Sequence, residues 1–106
     1  MNQLIKQYIH FKGKSRNALV FMRVGDFFET FNNDAVIASE VCGLTITHRD
    51  NIQIAGIPYH SIDGYLKKLI QAGYRVALCE QIEKPTDKVI KRDIVRITEQ
   101  SITPVI

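Results

Sequence analysis

Apolar and polar residues alternate with three different rhythms along this chain, and each rhythm predicts an element. Between residues 3 and 12, Leu4, Ile5, Tyr8 and Ile9 fall on one stripe, which predicts an amphipathic helix that ends near Gly13. Leu19 to Val24 is almost uninterrupted apolar sequence, the pattern of a strand buried on both faces. Gly25-Asp26 then turns the chain into Phe27-Phe28-Glu29-Thr30-Phe31, whose brevity and aromatic content favour a second strand. If that segment is extended, Phe27, Glu29 and Phe31 share one face, and Phe28 and Thr30 share the other.

Asn33 or Asp34 is the expected cap of a helix running to about Val41, with Ala38, Val41 and Cys42 inward and Gly43 as its stop. From Leu44 to Arg49 the period changes to two, and Ile52 and Ile54 resume it after Asp50-Asn51. A hairpin closed by Pro58 is predicted. Ser61 is the expected N-cap of the most regular helix, with Ile62, Tyr65, Leu66, Leu69 and Ile70 at helical spacing and Gly73 as its stop. Val76 to Cys79 reads as another buried strand. Lys84 to Asp87 reads as loop, and Val89 to Ile97 as a last strand. The expected fold class is therefore α+β, a mixed β-sheet flanked by helices in one small domain spanning residues 1–106.

Composition adds limits more than identity. At 106 residues, 45% of them hydrophobic and 24% charged, the chain suits one modest core. No apolar run approaches a membrane span and no secretory leader opens the chain, so a cytoplasmic protein without membrane contact is expected. Cys42 and Cys79 sit on buried-looking segments, which fits reduced thiols better than a disulfide framework.

The net charge of +3 is unevenly spread. Lys6, Lys12, Lys14, Arg16 and Arg23 occupy the first 25 residues with no acid among them. Asp26, Glu29, Asp34, Glu40 and Asp50 then face Arg49 alone, and from Lys84 to Arg96 basic residues dominate again. Two basic blocks around an acidic one permit a polyanionic partner without demanding one, and on charge alone a solvated surface is the favoured reading.

Most local motifs fail on inspection. Gly13-Lys14-Ser15 has the last letters of a phosphate-binding P-loop, but the glycine required five positions earlier is Tyr8, inside a predicted helix. His10, His48, His60, Cys42 and Cys79 have no metal-ligand spacing, so neither metal nor cofactor is expected. None of the 11 acids is followed two positions later by lysine, which removes the local signature of many metal-dependent nucleases. A nuclease site assembled from Asp26, Glu29, Glu80 and Glu83 stays open as an enzymatic alternative. No Gly-x-Ser-x-Gly is present for a serine hydrolase.

Residues 23–31, Arg-Val-Gly-Asp-Phe-Phe-Glu-Thr-Phe, remain. Three rings around one carboxylate are either core beside a solvated acid or a surface where ring and acid act together. A ring presented outward can unstack a base step from the minor groove, at least cost where pairing is already defective. A carboxylate beside it makes sense if it meets a base edge.

The stretch resembles the N-terminal mismatch-recognition domain, domain I, of the MutS DNA mismatch-repair family, which carries Gly-Asp-Phe-Tyr-Glu-Leu-Phe where this chain has Gly25 to Phe31. Asp34-Ala35, Ala38-Ser39, Gly43 to Thr47, Ile54 to His60, Ala77 to Ile82 and Ile94 to Ile97 extend the likeness over roughly residues 2–98. The resemblance implies a mixed sheet flanked by helices, with Phe27 stacking on a mispaired or unpaired base and Glu29 hydrogen-bonding it. Arg49 matches a family arginine beside the DNA-facing hairpin, where it would meet backbone phosphate. The implied partners are double-stranded DNA with a mismatch or unpaired base and other mismatch-repair proteins.

Departures from the family pattern are equally specific. Phe28 replaces a tyrosine, the hairpin loop at Asp50-Asn51 is shorter, and Arg49-Asp50 stands for a frequent Arg-Gly. After Ile97 the usual Val-Thr-Pro-Gly-Thr gives way to Thr98-Glu99-Gln100. No ATPase, clamp or dimerisation part fits in 106 residues, and Met1 with the altered end favours a small free-standing relative over a fragment. The expected function is a non-enzymatic module for mismatched or distorted duplex DNA. The alternative is a protein-interaction module that keeps the fold without mismatch binding.

Overall fold

A computed structural model of the chain describes residues 2–82 and 91–100. The expected loop from Lys84 to Asp87 and the start of the last strand at Val89 lie outside the described residues. The elements run α1 (Asn2–Lys14), β1 (Ala18–Val24), β2 (Phe27–Phe31), α2 (Asn32–Cys42), β3 (Thr47–Arg49), β4 (Ile52–Pro58), α3 (Ile62–Gln71), β5 (Arg75–Gln81) and β6 (Arg92–Thr98), with a 3₁₀ turn at Tyr59–Ser61 leading into α3. The six strands form one sheet in the order β3-β4-β2-β1-β5-β6. Among the described strands only β1 and β5 are parallel; the other pairs are antiparallel, so the sheet is mixed and the fold is α+β.

β1 is central and its first five residues are buried, because both faces of the sheet carry helices there. On one face Leu19, Phe21, Phe28, Ile57, Val76 and Leu78 pack with Ala38 and Cys42 of α2 and with Leu66 and Leu69 of α3. On the other face Val20, Met22, Phe31, Ile54, Ala77 and Cys79 pack with Tyr8 and Phe11 of α1. Among the described residues two helices thus cover the first face and a single helix covers the second. That difference decides where the sheet is left bare.

The turns follow local chemistry. Gly25, at φ 58°, takes the left-handed conformation in the two-residue link between β1 and β2, and the register closes at Val24 opposite Phe27. Asp50 and Asn51, at φ 51° and 62°, are both left-handed, as a tight two-residue hairpin between Arg49 and Ile52 requires.

Four expectations need correction. Ile9 is exposed; Tyr8 and Phe11 supply the inward face of α1, because the helix packs through positions three apart. α2 starts at Asn32 behind Phe31 without a side-chain cap. Asp34 is instead buried, accepting hydrogen bonds from Tyr8 Oη (2.6 Å) and the Val20 amide (3.1 Å) and pairing with Lys12 Nζ (2.8 Å). Ser61 does stand at the N-cap of α3 but makes no capping bond, since the 3₁₀ turn already directs the chain into the helix. Finally, regular pairing in the hairpin begins at Thr47, not Leu44, and Thr47, His48 and Arg49 are all exposed on the sheet edge. Alternation there records a strand edge, not a buried face.

Candidate nucleic-acid interface

β2 places Phe27 and Glu29 on the face covered by α1, together with Phe31. α1 shelters only one end of that strand. Phe31 is fully buried, its ring 5.1 Å from that of Tyr8, whereas two pleats away Phe27 is 45% exposed. Phe28 and Thr30 point to the opposite face and are buried. One five-residue strand therefore serves both layers of the core and still presents a single ring to solvent.

Gly56 makes room for that ring. It pairs with Glu29 across β4, and a Cβ built on it would lie 3.6 Å from Phe27 Cδ1 and 3.9 Å from Glu29 Cγ. Its φ is ordinary, so the position uses the missing side chain and not the backbone freedom of glycine. The Phe27 ring and the Glu29 side chain thus both come within van der Waals reach of this one position.

Glu29 is held from the sheet edge. Arg49 Nη2 reaches across β4 and donates to Glu29 Oε1 at 2.7 Å, with the acid side chain 15% and the arginine 47% exposed. From the other flank comes Arg92. Its Nε donates to the Arg23 carbonyl (2.8 Å) and its Nη1 to Gln7 Oε1 of α1 (2.6 Å). Burial lowers the Arg92 pKa below the usual arginine value, and the Glu29 charge is among the influences that oppose the shift. The exposed ring and its carboxylate therefore lie between two guanidinium groups contributed by β3 and β6.

On the reverse face Arg23 stacks on Tyr59, its Cζ 3.6 Å from the ring centroid, and pairs with Glu80 at 3.4 Å. Glu29 and Glu80 are thus on opposite faces with different arginine partners, so they cannot share one metal ion. Among the described residues no three His, Cys, Asp or Glu side chains are placed to hold one. Also among the described residues, no helix is long and apolar enough to cross a membrane.

Phe27, Glu29 and Arg49, singled out in the sequence, are brought together here. Gly56 and Arg92 were not singled out. Gly56 pairs with Glu29 only once β2 and β4 are aligned. Arg92 comes from a basic block that resembles any solvated charge run.

The family model described as MutS domain I matches residues 2–104. The chain belongs to the MutS domain I family. It is 43% identical, over 107 aligned positions, to the DNA mismatch repair protein MutS of Porphyromonas gingivalis, an alignment covering 94% of this chain and 12% of that protein. Against the MutS of Thermosipho melanesiensis it is 43% identical over 99 positions, or 92% of this chain and again 12% of the relative. This MutS domain I chain thus spans about an eighth of the length of the curated relatives it matches.

Proposed function

We propose that this MutS domain I chain is a non-enzymatic module of DNA mismatch repair that binds duplex DNA at mismatched or unpaired bases. The observation that carries the proposal is the half-exposed ring of Phe27, lying over Gly56 beside Glu29 on the part of the sheet that α1 leaves bare. A ring in that position can enter the minor groove and unstack a base step, which costs least where pairing is already broken. Glu29 then accepts a hydrogen bond from the displaced base. A lone carboxylate among phosphates would be repelled, and Arg49 offsets that charge at 2.7 Å.

A second reading has its own observation. Among the described residues β6 is an edge strand, paired only with β5, and Val95 and Ile97 on it are about half exposed. Such an edge suits a protein partner, including another mismatch-repair protein.

Fluorescence anisotropy at low salt, with matched, G·T-mismatched and single-base-bulged duplexes, separates the readings. The defective duplexes are expected to bind more tightly than the matched one. Phe27→Ala should remove that preference and leave matched binding nearly unchanged. Equal affinity for all three duplexes, indifferent to Phe27→Ala, would sink the wedge reading and favour the protein-partner surface.

A further inference from the structure

At the opposite end of the sheet, where β1 and β5 begin, the link after α1 forms an open depression of about 510 Å³. Its walls are Gly13, Lys14, Ser15, Arg16, Asn17, Arg75 and Ile97, three cations and no acid. Gly13-Lys14-Ser15 is the run that fails as a P-loop, and the structure explains the failure physically. The run closes a helix instead of opening one, so it offers no fan of amide donors. The Ser15 amide instead donates to the carbonyls of Phe11 (2.9 Å) and Lys12 (3.2 Å), satisfying part of the negative end of α1.

The side chains are a different matter. Lys14 and Arg16 are exposed and make no ion pair with any described residue. Arg75 Nε is screened from solvent and has no hydrogen-bond partner among the described residues; its only counter-charge there is Glu99 Oε2, 3.6 Å away. The rest of the Arg75 side chain is partly exposed, so its remaining guanidinium N–H groups can donate to an acceptor oxygen in the depression. Two exposed cations and the partly exposed Arg75 around an open hollow suit a single phosphate approached from outside, unlike the closed cradle a nucleoside polyphosphate needs.

We propose that this depression is a phosphate-binding site, and that the phosphate it takes belongs to the backbone of the duplex whose defect meets Phe27. The second part rests on the duplex-binding role proposed above. Six strand steps separate Ala18 from Val24, about 20 Å, which matches about six base-pair steps of roughly 3.4 Å. A duplex of a dozen base pairs is long enough to touch both ends. The wedge reads the defect, and the basic end supplies affinity without sequence or defect preference.

The test uses the full chain and the double variant Lys14→Gln, Arg16→Gln, chosen because both side chains are exposed and make no ion pair among the described residues. Matched and mismatched duplexes should both lose roughly tenfold in affinity, with the slope of log K against log salt shallower by about 2. The ratio between the two duplexes should stay as in the wild type. Amide shifts of residues 14–17 on titration with a matched 12-base-pair duplex would locate the contact. Inorganic phosphate should move the same amides only at millimolar concentration.

Unchanged affinity, or silent amides at 14–17 while those near Phe27 move, overturns this site and leaves the wedge standing. Amides that answer to phosphate but not to duplex overturn the backbone assignment in favour of a small phosphorylated ligand. If the wild type binds no duplex at all, the duplex-binding role fails, and the phosphate titration alone decides whether the depression takes phosphate.

Discussion

Glu29 and Arg49 show how much one contact can govern. The carboxylate is mostly covered while its partner is half exposed, so the arginine can be removed without opening the core. If its chief task is to offset the Glu29 charge against phosphate, Arg49→Ala should weaken binding to every duplex, and added salt should narrow the gap from wild type by screening the bared acid. The two residues should also be coupled. In a double-mutant cycle the penalty of Arg49→Ala should shrink in a Glu29→Gln background. Additive penalties would instead mean that Arg49 meets phosphate on its own, the role the family resemblance implies.

Among the described elements, α1 does most to shape the interface, because it is the one described helix that covers the face carrying Phe27. It is anchored by polar chemistry as well as by Tyr8 and Phe11. Asp34 on α2 collects the Tyr8 hydroxyl, the Lys12 ammonium and the Val20 amide, and Lys12 also donates to the Ala18 carbonyl at 2.6 Å. At the middle of the helix, next to Tyr8, Gln7 accepts a hydrogen bond from Arg92, which also bonds the Arg23 carbonyl. Removing the shared acceptor takes a partner from three donors: Tyr8 Oη keeps the Phe31 carbonyl (3.2 Å) and Lys12 keeps the Ala18 carbonyl, while the buried Val20 amide loses its Asp34 acceptor. Asp34→Ala should therefore destabilise the fold by about 3 kcal/mol, with Lys12 limiting the loss by turning its ammonium to water. Urea unfolding measures this directly, and a change below about 0.5 kcal/mol, typical of a surface substitution, would show that apolar packing alone seats α1.

For the molecule as a whole, the two-layered burial of the sheet has a consequence at high pH. Burial, aided by the Asp93 charge, pushes the Cys79 thiol from 9.0 up to about 12, and Tyr8 is likewise raised, by burial and by Asp34. Protonated forms are thus favoured in the folded state. Below pH 9 neither state ionises this thiol, and its contribution to stability is constant. Between pH 9 and about 12 the unfolded chain loses the proton while the folded chain keeps it, so stability falls as pH rises. The melting temperature should decline through that window, and Cys79→Val, close in volume, should flatten part of the decline. An unchanged slope in the variant would assign the alkaline loss to other groups.

Much of this architecture is legible in one sequence. Period-two and helical patterns, the glycines at 25, 43 and 73, and the buried runs of β1 and β5 are local signals, set by backbone sterics and solvent exclusion within a few residues. The identity of Phe27, Glu29 and Arg49 as a set came from motif resemblance, and the alternation of β2 already put Phe27 and Glu29 on one side. Which phenylalanine stays outside was not legible, because Phe27 and Phe31 share a face and differ only in what α1 happens to reach. The same holds for Asp34, which has the sequence of a cap and the position of a buried hub, and for the meeting of Lys14 and Arg16 with Arg75, about 60 residues away. Local sequence determines the elements because their hydrogen bonds and burial faces are short-range. Tertiary structure alone decided which surfaces were covered, because coverage depends on helix length and strand order across the whole sheet.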